Sequence, residues 1–250
     1  MEKIKYNSVV LKFGGSVIPD ENGIYKVANV IKNLSSQYNV MAVVVSAMGK
    51  TTNNLDALAH RVAKKPNVRE LDALLATGET QSAALLSMKL NAMGVPAVSY
   101  NAVQCGIQTD NHFGNAQIQH MGMERVNLLY GMPIITGFQG VTKQGDITTL
   151  GREGSDISAV AIAAALGVDF CWLFKNGGGI CETYPNKDKI FKQISYKKMR
   201  QLMSDGRGGQ VLHKRSVDMA QKYNIPLYVS GINELDKGTL ITKLVHPKIH

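Results

Sequence analysis

The chain reads as an α/β protein built on an open, mostly parallel central sheet with helices on both faces, in three αβα layers. Two observations predict this. Short apolar runs alternate with helix-period segments from end to end, the pattern left when strands are joined by crossover helices. Glycine-containing turns also fall where strands end and helices start, the place where open α/β sheets bind ligands. The first strand is Val9–Phe13, set by Val9, Val10 and Leu11, and a helix follows over Ile24–Gln37. Val40–Ser46 is the strongest strand signal, followed by helices over Asn54–Lys64 and Leu71–Met93. Ala97–Tyr100 is a short strand. Gln104 to Gln119, rich in Asn, Gln, Thr and His, reads as a loop or hairpin layer beside the site. A helix over Met123–Tyr130, a strand over Pro133–Gly137, an Ala-rich helix over Ser155–Leu166 and a strand over Phe170–Phe174 continue the alternation. Helices over Tyr196–Ser204 and Gly209–Tyr223 and strands over Leu227–Ser230 and Gly238–Thr242 complete it.

At 250 residues the expectation is a single domain covering 1–250. No apolar run approaches the roughly 18 to 20 residues that span a bilayer, and the first residues, MEKIKYNSVV, lack the apolar stretch and cleavage site of a signal peptide. A cytoplasmic protein with no membrane partner is expected. Cys105, Cys171 and Cys181 are odd in number and have no CxxC spacing, so neither a disulfide framework nor a metal site is indicated. The formal charge of +9 is dispersed, with no aromatic residues interleaved in a basic stripe. That argues against nucleic acid and for solubility or an anionic small ligand.

Four segments carry the candidate chemistry: KFGGS at 12–16, SAMGKTTNNL at 46–55, TGE at 77–79 and TTLGREGSD at 148–156. Lys12 ends a buried strand, and Gly14, Gly15 and Ser16 form the turn after it. Glycines there let backbone N–H groups approach phosphate oxygens, and a lysine supplies a point charge for a transferring phosphoryl group. Alone, such a turn is commonplace, and its spacing is neither that of a P-loop nor of a dinucleotide site. Ser46, Thr52 and their neighbours offer neutral donors before a helix, where a simple N-cap cluster is the plain alternative. Glu79 lies in an apolar context and needs a cationic partner, either a substrate ammonium or a protein cation such as Arg152. Arg152 presents a planar fork suited to a carboxylate. Ser155 or Asp156 would cap the next helix, or Asp156 would hold Lys12. A carboxylate acceptor is already ionised at neutral pH, so the lack of an evident catalytic histidine fits carboxylate phosphorylation.

On these residues the chain resembles the catalytic domain of aspartate kinases, in the amino acid kinase family. KFGGS, VVVSAMGKTTNNL, ELDALLATGE, GIQTDNHFGNAQI, GFQGVTKQGDITTLGREGSD and VLHKRSVDMAQKYNIPL all stand in family order, from about Val9 to Ile241. The resemblance implies the amino acid kinase fold and transfer of the ATP γ-phosphoryl group, with Mg²⁺ held mainly by the nucleotide phosphates, to the β-carboxylate of L-aspartate. It implies Lys12 at the transferring group, Asp156 orienting it, and Ser46, Thr52, Glu79, Arg152 and Ser155 around the amino acid. Gly14, Gly15, Ser16, Lys175, Asn176, Gly179 and Gln210 would line the nucleotide side. A homodimer is the usual family assembly.

Three departures stand out. The first turn is one residue shorter than the usual KFGGTSV. The nucleotide segment, commonly TDVDGVYTADPR, runs here from Lys175-Asn176 to Asn186, and the lysine of a later GAKVL segment is Gln210. The paired ACT regulatory domains that usually follow are not expected in this length. Changes on the donor side leave alternatives open: a kinase for another amino or carboxylic acid, a changed phosphoryl donor, or a non-catalytic amino-acid-binding subunit.

Overall fold

The computed structural model describes residues 6–123, 126, 128–183, 186–205 and 211–243. Eight strands form the central sheet: β1 (Ser8–Phe13), β2 (Asn39–Val45), β3 (Ala97–Tyr100), β6 (Met132–Thr136), β9 (Phe170–Phe174), β12 (Gln193–Ser195), β13 (Leu227–Gly231) and β14 (Glu234–Thr242). Their order is β12-β14-β13-β9-β1-β2-β6-β3, and only the β13–β14 pair is antiparallel. The sheet is therefore open and mostly parallel, as the alternating pattern predicts.

Residues on β1 alternate between the two faces, as any strand requires. Val9, Leu11 and Phe13 pack with α1 (Glu21–Ser35) and α4 (Thr77–Ala92) on one side, in a core with Ile31, Leu86 and Leu90. Phe13 also stacks on Phe174, ring centroids 4.4 Å apart. Val10 faces the other side, where α6 (Gly154–Leu166) and α8 (Lys214–Tyr223) bring Val160 and Val217 against Cys171 and Leu173. This period-2 rule puts Lys12 on the α6 face, two residues beyond Val10. In register it lies between Val44 of β2 and Leu173 of β9.

A second sheet has four short strands: β4 (Ile107–Thr109), β5 (Ile118–Met121), β7 (Gln139–Val141) and β8 (Ile147–Thr149), in the order β5-β4-β7-β8. The hairpin expected within Gln104–Gln119 is β4–β5. It is preceded by α5 (Ala102–Cys105). A further pair, β10 (Cys181–Thr183) with β11 (Asn186–Ile190), lies before α7 (Tyr196–Ser204).

Several helical expectations need correction. The single helix over Leu71–Met93 is two, α3 (Val68–Leu75) and α4, broken at Ala76. The Gln139 side chain takes the Ala76 carbonyl at 2.5 Å, and Thr77 Oγ1 donates to Leu74 O at 2.8 Å. Side chains thus bond carbonyls at the break, and Ala76 O is shared between Gln139 and the Thr80 N–H at 3.4 Å. The helix expected over Met123–Tyr130 is, among the described residues, one 3₁₀ turn at Leu128–Tyr130. Leu128, Leu129 and Tyr130 are all exposed there, whereas Val126 is buried in the core, and the rest of the expected span falls partly outside the described residues. The helix expected from Gly209 begins at Lys214, where the His213 ring accepts from Arg215 N–H at 3.2 Å and caps it. Gly209 itself lies outside the described residues. α2 (Thr51–Val62) starts three residues earlier than expected.

Candidate active site

One cavity of about 1070 Å³ opens at the carboxyl ends of β1, β2 and β9, and it gathers most of the expected residues. Lys12, Gly14, Gly15, Ser16, Ser46, Thr52, Glu79, Arg152, Ser155, Lys175 and Asn176 all line it. Gly179 does not. It is buried behind the wall, where a Cβ would stand 2.6 Å from Ile190 Cγ2 and 2.8 Å from Thr239 Oγ1, so its small size serves packing rather than ligand contact. Gln210 lies outside the described residues.

The first turn is tight for a reason visible in its contacts. Gly49 N–H donates to Gly15 O at 3.1 Å, and a Cβ on Gly15 would lie 2.5 Å from Ala47 O. The two loops therefore meet backbone to backbone, which only glycine permits. Asn176 Nδ2 donates to Ser16 O at 2.7 Å, fixing the segment after β9 to the same turn.

On one wall sits a charged row. Lys12 Nζ is 2.7 Å from Asp156 Oδ1, and Lys175 Nζ is 2.7 Å from Asp156 Oδ2 and 3.1 Å from Glu153 Oε2. Asp156 is fully buried and Lys12 nearly so. Burial opposes the Asp156 charge, but the two lysines outweigh it and hold its pKa below the usual carboxylate value. Burial pushes Lys12 down, with Asp156 opposing and Lys175 adding to the fall. Burial also acts against Lys175, but Asp156 and Glu153 together outweigh it and raise its pKa. Asp156 thus serves the lysines and does not cap α6. Neither does Ser155: the residue before the helix is Glu153, in a left-handed conformation at φ 58° without a side-chain cap.

The other wall is held without cations. Glu79 Oε1 accepts from Ala47 N–H at 3.0 Å, while Oε2 is buried and has no hydrogen-bond partner. Burial raises this carboxyl to about 7, against smaller opposing contributions from the Ala47 N–H and the Lys12 charge. The alternative that Arg152 or another protein cation pairs with Glu79 is not met: its salt-bridge partners are absent among the described residues.

The structure adds residues that the sequence left unremarked. Asp72 of α3, buried on this wall, accepts from Gly114 N–H at 2.8 Å, Thr149 N–H at 2.7 Å and the Thr149 hydroxyl at 2.8 Å. Arg215 of α8 ties together the chain beside these residues, donating to Leu150 O, Ala116 O and Asn115 Oδ1, each at 2.7 Å.

A fold with these walls can be compared with known proteins. The amino acid kinase family model matches residues 7–231. The chain belongs to the amino acid kinase family. Within the family, it is 42% identical over 97% of its length to an aspartokinase of Geobacillus stearothermophilus and 43% identical over 94% to one of Thermus thermophilus. It spans about 60% of the length of these curated relatives. Among solved structures, the aspartate kinase from Synechocystis superposes with a TM-score of 0.84 at 36% identity, covering 96% of this chain and 40% of that one. E. coli aspartokinase III, in complex with aspartate and ADP, gives the same TM-score at 24% identity, which at that distance speaks for the fold. Among the described residues there is no helix long and apolar enough to cross a membrane, and no cluster of side chains suited to a metal ion.

Proposed function

We propose that this member of the family transfers the γ-phosphoryl group of ATP to the β-carboxylate of L-aspartate, giving 4-phospho-L-aspartate and ADP. The observation that supports it most is the pairing, in one cavity, of a two-lysine wall with a buried carboxylate whose free oxygen has no partner. The first suits a multiply charged anion and the second an ammonium, so the cavity is complementary to a polyphosphate and an amino acid together. The likeness to aspartokinases at about 42% identity supports aspartate as the amino acid.

In this reading Gly14, Gly15 and Ser16 present the first turn to the donor phosphates, with Asn176 securing it from the segment after β9. Lys12, fixed by Asp156, faces the transferring group. Ser46, Thr52 and Ser155 supply neutral donors to the acceptor, Arg152 meets a carboxylate and Glu79 the ammonium. The acceptor carboxylate oxygen attacks the γ-phosphorus, the bond to the bridging oxygen breaks, and ADP leaves with that electron pair. No proton has to be removed, so positioning and charge neutralisation carry the catalysis. Mg²⁺ would ride on the nucleotide phosphates and neutralise the leaving charge, since Asp156 is committed to lysines and no acidic cluster stands ready among the described residues. Three buried free cysteines agree with a reducing, cytoplasmic setting in which ATP is abundant, and that setting is part of this reading.

The direct test mixes the purified chain with Mg-ATP and L-aspartate and follows ADP release together with acyl phosphate trapped by hydroxylamine. Coupled appearance of both products is the expected result. Aspartate binding by calorimetry without either product would leave the chain an amino-acid-binding protein and end the kinase reading.

A further inference from the structure

Glu153 stands at φ 58° immediately before α6. A residue with a Cβ is uncommon there, and glycine would adopt the same backbone without strain. The side chain therefore has something to do, and among the described residues its ion-pair contact is with Lys175. Lys12, Asp156, Lys175 and Glu153 form a row of two cations and two carboxylates whose formal charges cancel. The inner three are held in the wall, with side-chain exposures of 3%, 0% and 13%, whereas Glu153 is 38% exposed at the cavity mouth.

A polyphosphate needs a cradle with net positive charge, and this row becomes one only if a carboxylate gives way. Asp156 cannot, because its departure would leave the buried Lys12 without a carboxylate and Lys175 with only Glu153. Glu153 can turn to solvent. We propose that Lys175 is a second phosphate-contacting lysine and that Glu153 is its displaceable counter-ion, occupying the place that a donor phosphate oxygen takes on binding. This rests on the kinase reading of the same cavity. It gives Lys175, where aspartate kinases commonly carry threonine, a use in the donor site. Between turnovers Glu153 keeps the lysine paired and pointed into the cavity. On binding, a partly exposed ion pair, which is weak, is exchanged for a charge-assisted contact to phosphate. A singly charged anion gains too little from that exchange, so the row favours a polyphosphate chain.

The test titrates inorganic tripolyphosphate by calorimetry into the wild type, Glu153→Gly, Glu153→Gln, Lys175→Met and the Glu153→Gly/Lys175→Met double variant, each checked by its thermal melt. Glycine at 153 suits the left-handed backbone, so that variant keeps the fold. Both Glu153 changes should tighten tripolyphosphate roughly two- to fivefold, the worth of one partly exposed pair. Lys175→Met should weaken it about tenfold or more, the worth of one charged hydrogen bond. In the double variant the gain from removing Glu153 should vanish, because nothing is left for it to compete over. Unchanged or weaker binding in both Glu153 variants would overturn the displacement, and wild-type affinity in Lys175→Met would overturn the lysine's assignment. If Lys175→Met fails to fold, the Glu153 pair still decides. Acyl phosphate formation by the wild type tests the kinase reading separately, so the two can fail independently.

Discussion

The two walls of the cavity each contain a buried aspartate, and the two are held in opposite ways. Asp156 lies between two lysines that keep it ionised more firmly than an ordinary carboxyl. Asp72 meets no cation among the described residues: it receives two backbone N–H groups and a hydroxyl, and burial raises its pKa in spite of them. The first aspartate is there for its charge and the second for its accepting oxygens. In the proposed function the walls face different ligands: the donor wall carries charges already paired within the protein, whereas the acceptor wall keeps Glu79 with an oxygen unclaimed. Replacing each carboxyl by its amide is the sharpest way to probe this contrast, since shape is kept and only charge and donor pattern change.

The largest effect should come from Asp156→Asn. The amide would leave Lys12 without its carboxylate and Lys175 with only the exposed Glu153, and one amide nitrogen would point a donor at a lysine. Breaking a buried ion pair in this way costs about 3–5 kcal/mol, read as a fall in denaturation midpoint at neutral pH, and phosphoryl transfer should drop together with it. Because the folded pKa of Asp156 is lowered, its stabilisation is present above the ordinary carboxyl value of 3.8 and is lost only as pH falls below that. The gap between wild type and variant should therefore stay constant from pH 5 to 8. A variant as stable as the wild type would mean that the lysines find other partners and that the donor wall is not built on charge.

Glu79→Gln probes the acceptor wall at the next scale. In the unfolded chain this carboxyl loses its proton near 4.5, whereas in the fold it keeps it to about 7. Between those values the folded state binds more protons, so stability falls as pH rises, by roughly 3 kcal/mol in total once pH exceeds about 7. Glutamine carries no such proton, so the variant should lack the slope and be the more stable protein at pH 8. An amino acid acceptor offers an ammonium that favours the ionised carboxyl. Its binding should then release a proton below pH 7 and tighten with pH up to that point, whereas the variant should bind weakly without pH dependence. Calorimetry in buffers of different ionisation enthalpy reads the proton directly, and equal proton release in both proteins would remove Glu79 from the ammonium site.

The two walls were also unequally legible in the sequence. Lys12 was readable because it ends an apolar run and is followed by two glycines, a local pattern with a local reason. Glu79 was readable because a carboxyl amid Leu74, Leu75, Ala83 and Leu86 has no cheap place to go. Asp72 was not, because Gly114 and Thr149, which it binds, are 42 and 77 residues away, and in sequence it looks like an ordinary polar position on an amphipathic helix. The break at Ala76 is equally remote in origin, since Gln139 is 63 positions along the chain. Glu153 was visible as a letter within GREGSD, but neither its left-handed backbone nor its reach to Lys175, 22 positions on, follows from neighbours. The parallel sheet was legible except at β12, because burial on both faces writes itself into continuous apolar runs and Gln193–Ser195 carries a single apolar residue.

The smallest effect should be that of Asp72→Asn. Asp72 Oδ2 takes both N–H groups, from Gly114 and Thr149, while Oδ1 takes only the Thr149 hydroxyl. An asparagine can keep its oxygen at the Oδ2 position and place its NH₂ at Oδ1. The Thr149 hydroxyl then turns and accepts where it had donated, since a hydroxyl can do either. All three contacts survive, with loss only of the charge assistance that burial already weakens, so the expected cost is below about 1 kcal/mol. Asp72→Ala gives no such exchange. It strands two backbone N–H groups on the buried side of the acceptor wall, at roughly 1–3 kcal/mol each, and frees the Gly151–Arg152 turn that follows Thr149. Aspartate KM should rise in the alanine variant and hardly move in the asparagine one. If asparagine proved as damaging as alanine, Asp72 would be needed for its charge after all, and the two walls would share one principle instead of two.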